Sequence, residues 1–198
     1  MSPCPQLVVN TSNLASISSA ASWCFHTTMM RILYAGLILI AGSAFGQNGN
    51  EPVKSFLITG EVIAEKKIRL DDLANFRESS LGDITILNHL GEVKSQQKKL
   101  KGVLLRDVLD KIEIKSESPK VLSEYYIVCK ATDGYTIVYS WNEVFNNPAG
   151  ESIYLVTSKE GVPASNLEES ILMVTPRDYK TGRRYLKGLT KIEIKRAN

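Results

Sequence analysis

Beyond residue 55 the chain alternates short apolar runs with polar turns, and the period of each run predicts an element. Phe56–Ile63 is rich in β-branched residues and reads as a strand interrupted at Gly60. Leu70, Leu73 and Phe76 recur at helical spacing, with Asp71 and Asp72 early, where the helix dipole favours acids. Ile84–Leu87 is a short strand running into a turn at Asn88–Gly91. The clearest helix spans Gly102–Ile112: Leu104, Leu105, Val108, Leu109 and Ile112 form one face, and Arg106/Asp110 and Asp107/Lys111 are i,i+4 pairs on the other. Tyr125–Ala131 and Tyr135–Tyr139 are strands around Thr132, Asp133 and Gly134, and Asp-Gly between such runs signals a hairpin. Ser140 and Glu143 form a capping-box pattern that opens a short helix over Val144 and Phe145. Ser152–Ser158 and Ile171–Thr175 are strands, the second stopped by Pro176. Leu189–Lys195 alternates strictly and closes the domain. This inventory is α+β: a strand-rich, mixed-sheet domain with two or three inserted helices, not a regular βαβ winding.

Charge divides the chain. Residues 1–46 hold no Asp or Glu and a single basic residue, Arg31. From Met30 a short positive start is followed by the apolar run Ile32–Ala41 and by Ala44, Phe45 and Gly46, the order of a signal peptide cleaved near Gly46. The run is too short to span a bilayer, which needs about 20 apolar residues. The expected organisation is a mis-assigned leader over residues 1–29, a signal peptide over 30–46, a flexible lead-in over 47–55 and one domain over 56–196. The expected location is periplasmic or extracellular. The whole chain has 24 basic and 21 acidic residues, a net charge of +3 that gives no argument for nucleic acid. Cys4 and Cys24 precede the signal peptide, so Cys129 stands alone in the exported part, without an internal disulfide.

Chemistry concentrates near the C-terminus. Thr175–Gly188 carries Arg177, Lys180, Arg183, Arg184 and Lys187, opposed only by Asp178. Such a stretch is either a socket for a small anion or a solvated loop; attachment to an anionic lipid or cell-wall polymer is a third reading. His89 is the sole histidine of the exported part. It is a candidate ligand or proton donor, or simply part of a surface turn. Tyr135 and Trp141 either line a pocket at the hairpin end or pack into the core. No Ser/His/Asp set, phosphate-binding glycine loop or metal-ligand spacing is present.

Several pieces, in order, resemble the molybdopterin-binding domain of the sulfite oxidase superfamily. They are the Phe56–Val62 strand with Leu70–Leu73, then Lys101–Leu109, Ala131–Tyr135 with Trp141–Val144, Leu172–Pro176, Gly182–Lys187 and Ile192–Ile194. The resemblance covers nearly all of the exported chain and implies a compact form of that fold. It implies a molybdopterin cofactor, oxidoreductase chemistry and a redox partner outside this chain. It also implies that Arg177, Arg183, Arg184 and Lys187 grip the pterin phosphate. In the family one protein cysteine completes the molybdenum site beside the two pterin sulfurs. The matching stretch here, Ile84–Val93, has no cysteine, which leaves molybdenum in doubt, and Asn88 and His89 are the nearest replacements by position. Two functions follow as expectations: an exported domain binding molybdopterin or another small anionic ligand, or a non-catalytic interaction module that has lost the cofactor.

Overall fold

The computed structural model describes residues 53–197. In chain order its strands and α-helices are β1 (Ser55–Gly60), β2 (Lys66–Arg69), β3 (Glu78–Leu87), β4 (Val93–Leu104), α1 (Leu105–Leu109), β5 (Tyr125–Ala131), β6 (Thr136–Ser140), α2 (Trp141–Phe145), β7 (Tyr154–Lys159), β8 (Val162–Pro163), β9 (Leu172–Val174), β10 (Leu186–Lys187) and β11 (Leu189–Arg196). They form two sheets. One has the order β2-β1-β11-β5-β6; the other has the order β10-β9-β7-β4-β3, with β8 paired to β7. The first sheet is mixed, because β1 and β11 run parallel while its other pairs are antiparallel. The architecture is the expected strand-rich α+β class.

The main core lies on the inner face of the first sheet. Phe56, Ile58, Ile127, Ile137, Tyr139, Ile192 and Ile194 meet Leu105, Val108, Val144, Leu155 and Met173 there. A second, smaller core gathers Ile84, Ile86, Leu100, Val156, Leu172 and Val174, with Tyr185 packed against it. Within β9, Met173 joins the main core and its neighbours Leu172 and Val174 join the second. Burial on both faces explains why this strand reads as an unbroken apolar run.

Three expectations change in the structure. The helix placed over Gly102–Ile112 begins only at Leu105, because Gly102–Leu104 pair with β7 as the end of β4. A Cβ at Gly102 would lie 2.7 Å from the Leu155 carbonyl oxygen, so the strands meet too closely there for any side chain. The ion pair Arg106 makes is with Asp107, at 3.7 Å. The segment over 70–76 is a 3-10 turn, Leu70–Asn75, in which Asp72 accepts the Arg69 backbone N–H at 2.8 Å. The strand at Ile84–Leu87 is the end of a ten-residue strand paired with the twelve-residue β4. The β5–β6 hairpin forms as read, with Gly134 at φ +83°, and the Ser140 side chain caps α2 by accepting the Glu143 N–H at 3.0 Å. The expected leader, signal peptide and most of the lead-in lie outside the described residues. Among those described, no helix is long and apolar enough to cross a membrane.

Candidate anion-binding site

After Pro176 the chain leaves β9 and crosses the end of the β3–β4 hairpin. A 3-10 turn at Thr181–Arg184 fixes it there. The Thr181 hydroxyl accepts the Leu87 N–H and donates to the Thr85 carbonyl, both at 2.8 Å. Gly182 lies against the Leu87 carbonyl so closely that a Cβ would approach its oxygen to 2.5 Å. The Lys180 ammonium lies over Gly91, and the Tyr135 hydroxyl donates to the Arg183 carbonyl at 2.6 Å. The C-terminal segment thus joins the 87–95 hairpin tip to the 132–135 turn. Between the three is a cavity of about 410 Å³ with Lys94, Ser95, Asp133, Tyr135, Tyr185 and Lys187 in its wall, Asp133 being its one carboxylate.

The residues singled out from sequence fall into three groups. Arg184 is turned into the protein. Its guanidinium forks onto Asp178 (2.5 and 2.6 Å), meets Glu143 at 2.5 Å and covers the Tyr139 ring at 4.7 Å. The Asp178 bond, opposed by burial and aided by Glu143, holds its pKa above the usual range. Asn88 is likewise occupied, since its side-chain oxygen accepts the Leu90 and Glu92 N–H groups and its amide donates to Glu92. Lys187 lines the cavity but is paired with Glu169 at 2.6 Å. Arg177 reaches the Pro148 carbonyl at 3.4 Å, away from the cavity wall. Arg183 and His89 are exposed. Among the described residues Lys94, Arg177, Lys180 and Arg183 make no ion pair, and of these only Lys94 is in the cavity wall.

Tyr185 adds a donor. Its hydroxyl is buried without a hydrogen-bond partner, and burial, with Glu169 nearby, holds the phenol well above its ordinary pKa. It is therefore a neutral O–H near a basic rim. Tyr135 is at the cavity, whereas Trp141 is buried and stacks on Phe145 at 4.2 Å. Lys94 and Ser95 were not legible as site residues. They lie in a polar stretch whose alternation is too faint to mark a strand.

A protein-ligated molybdenum does not fit these side chains. Cys129 is fully buried in the main core, where desolvation pushes its thiol up to about 12. The thiolate a soft metal needs is disfavoured there. Among the described residues no cluster of three or more His, Cys, Asp or Glu side chains has a metal-holding arrangement.

No protein-family model matches the chain, and no curated protein sequence matches it significantly. Solved structures do match. One is the sulfane dehydrogenase SoxCD from Paracoccus pantotrophus, with TM-score 0.52 and 15% identity over 73% of this chain. The match takes in 39% of that SoxCD chain, so the present chain corresponds to well under half of it. At that identity the likeness is one of fold, and the chain is a strand-rich α+β domain distantly similar in fold to part of a sulfane dehydrogenase.

Proposed function

We propose that the chain is an exported binding domain of the sulfite-oxidase type that holds a small anionic, ring-bearing ligand, a phosphorylated pterin being the class favoured. The observation that carries this reading is the cavity itself. Three segments distant in sequence close about 410 Å³ among two lysines, Asp133 and two tyrosines, and the Tyr185 hydroxyl is buried without a partner. Lys94 would meet a phosphate, with Lys187 shared between that phosphate and Glu169; Tyr135 and Tyr185 offer aromatic surface and an O–H donor. A molybdopterin would supply oxo- or electron-transfer chemistry through a metal on its own dithiolene sulfurs. This chain adds no thiolate, and no redox step is assigned to its residues. The sequence resemblance and the fold shared with a sulfane dehydrogenase both support the choice of pterin.

The test is calorimetric titration of the full chain with a pterin monophosphate, beside Lys94→Gln/Lys187→Gln. The double variant should bind at least about tenfold more weakly and with a flatter salt dependence. Equal affinity and equal salt dependence would remove the cavity from consideration. Protein from a cofactor-competent exporting host should also release fluorescent oxidised pterin on denaturation. A second reading, an interaction module without cofactor, is favoured by Leu90, Val93 and Tyr179. These are 66%, 67% and 96% exposed on or next to the segments that meet at the cavity.

A further inference from the structure

The outer face of the five-stranded sheet carries a surplus of lysines. Strand alternation sends Phe56, Ile58, Ile127, Cys129, Ile192 and Ile194 inward and their neighbours outward. One outward row crosses every strand: Lys67, Leu57, Lys191, Lys130 and Thr136. The next holds Thr59, Glu193, Val128 and Val138, and a third Lys195, Tyr126 and Ser140. Glu193 sits among three ammonium groups, Lys130 at 2.9 Å, Lys191 at 3.5 Å and Lys195 at 3.7 Å. One carboxylate cannot neutralise three cations. With Lys67 the rows hold four lysines against one acid, a surplus of three.

We propose that this face docks an extended polyanion, a polymer bearing a sulfate or phosphate on each repeat. Strands lie about 4.8 Å apart and alternate residues about 6.8 Å apart along each. The lysines thus rise from backbone positions spread over a broad plane, and three of their flexible side chains lean in on Glu193. All four are lysines, mobile point charges that follow a chain of anions without the fixed fork of arginine. Val138, at 51%, is the one large apolar side chain of these rows among the exposed set. A specific protein interface needs a buried aromatic or aliphatic centre, and a bilayer needs side chains to insert. Leu57, Tyr126 and Val138 are separated along the rows by lysines and by Thr136, Glu193 and Ser140, so the face suits a partner held chiefly by charge.

Binding of the full chain to dextran sulfate, with uncharged dextran as control, tests the proposal across a salt series. Lys130→Gln/Lys191→Gln/Lys195→Gln should weaken binding at low salt by about tenfold or more and shallow the salt slope. Lys98→Gln/Lys111→Gln/Lys120→Gln, equal in charge but off the face, should stay within about twofold of the parent. Glu193→Gln should tighten binding by about two- to threefold, an effect opposite to that of any loss of folding. Equal weakening by both triple variants would overturn the proposal. So would parent protein that retains no more dextran sulfate than dextran, or that binds phosphatidylglycerol vesicles and not the polymer.

Discussion

Arg183 and Arg184 are sequence neighbours with different surroundings. Arg183 is exposed, while Arg184 is locked between Asp178 and Glu143 over the Tyr139 ring. Replacing Arg184 by Met would leave two half-buried carboxylates facing each other. Arg184→Met is therefore expected to lower stability by about 2–4 kcal/mol in urea unfolding, and Arg183→Ala to change it by less than about 0.5 kcal/mol. Similar losses in the two variants would contradict the assigned roles. The sequence displayed the density of positive charge in this segment but not its bookkeeping, because Glu143 lies 41 residues from Arg184 and Glu169 lies 18 from Lys187. Only folding decides which cations meet an acid. Cys129 lies in the apolar run Tyr125–Ala131 and is buried, as a small side chain in such a strand is expected to be.

At the scale of elements, the site depends on how the Thr181–Arg184 turn seats on the β3–β4 hairpin. Gly182→Ala would force a methyl group against the Leu87 carbonyl, with Ile86 at 3.4 Å leaving little room to yield. The expected cost is about 1–3 kcal/mol, read as a lower melting temperature. Faster amide exchange at Leu87, whose N–H bonds Thr181, should accompany it. Unchanged exchange at Leu87 would show that the turn is held by other contacts. Hairpin and cap signals were clear in sequence where they are local, at Asp133-Gly134 and at Ser140. The β3–β4 hairpin was largely hidden. Val93–Lys99 is dominated by lysine, serine and glutamine, of which only Gln97 is buried, so hydrophobic period says little there. The Gly102–Leu104 segment failed for the opposite reason. Its apolar residues suit a helix and a strand alike, and contact with β7 selects the strand.

Over the whole molecule, carboxylates held by partners set the response to acid. Glu78 is kept below its ordinary value of 4.5 by the Thr157 hydroxyl, against burial and with help from Lys101. Burial works against the Glu169 carboxylate, but Lys159 and Lys187 together outweigh it. Lys130 lowers Glu193, again against burial and with help from the neighbouring lysines. Groups with depressed folded values stabilise the fold above their unfolded values and lose that contribution as pH falls through the folded ones. The urea midpoint should therefore change little from pH 7 to pH 5.5 and drop below about pH 4.5. Glu169→Gln should shrink the drop, and a midpoint at pH 3.5 equal to that at pH 5.5 would refute this account. The fold class could be read at this scale because burial patterns add up along a chain. The cavity could not, since its wall comes from three segments whose meeting no local period records.

The first and last strands of the domain lie side by side and point the same way, with Leu57–Gly60 paired to Lys191–Ile194. This arrangement governs how the domain bears tension. If its two ends were drawn apart, β1 and β11 would be sheared past each other along their length. The rungs between them would carry the load together instead of parting in succession. The ends would hold until several hydrogen bonds gave way at once.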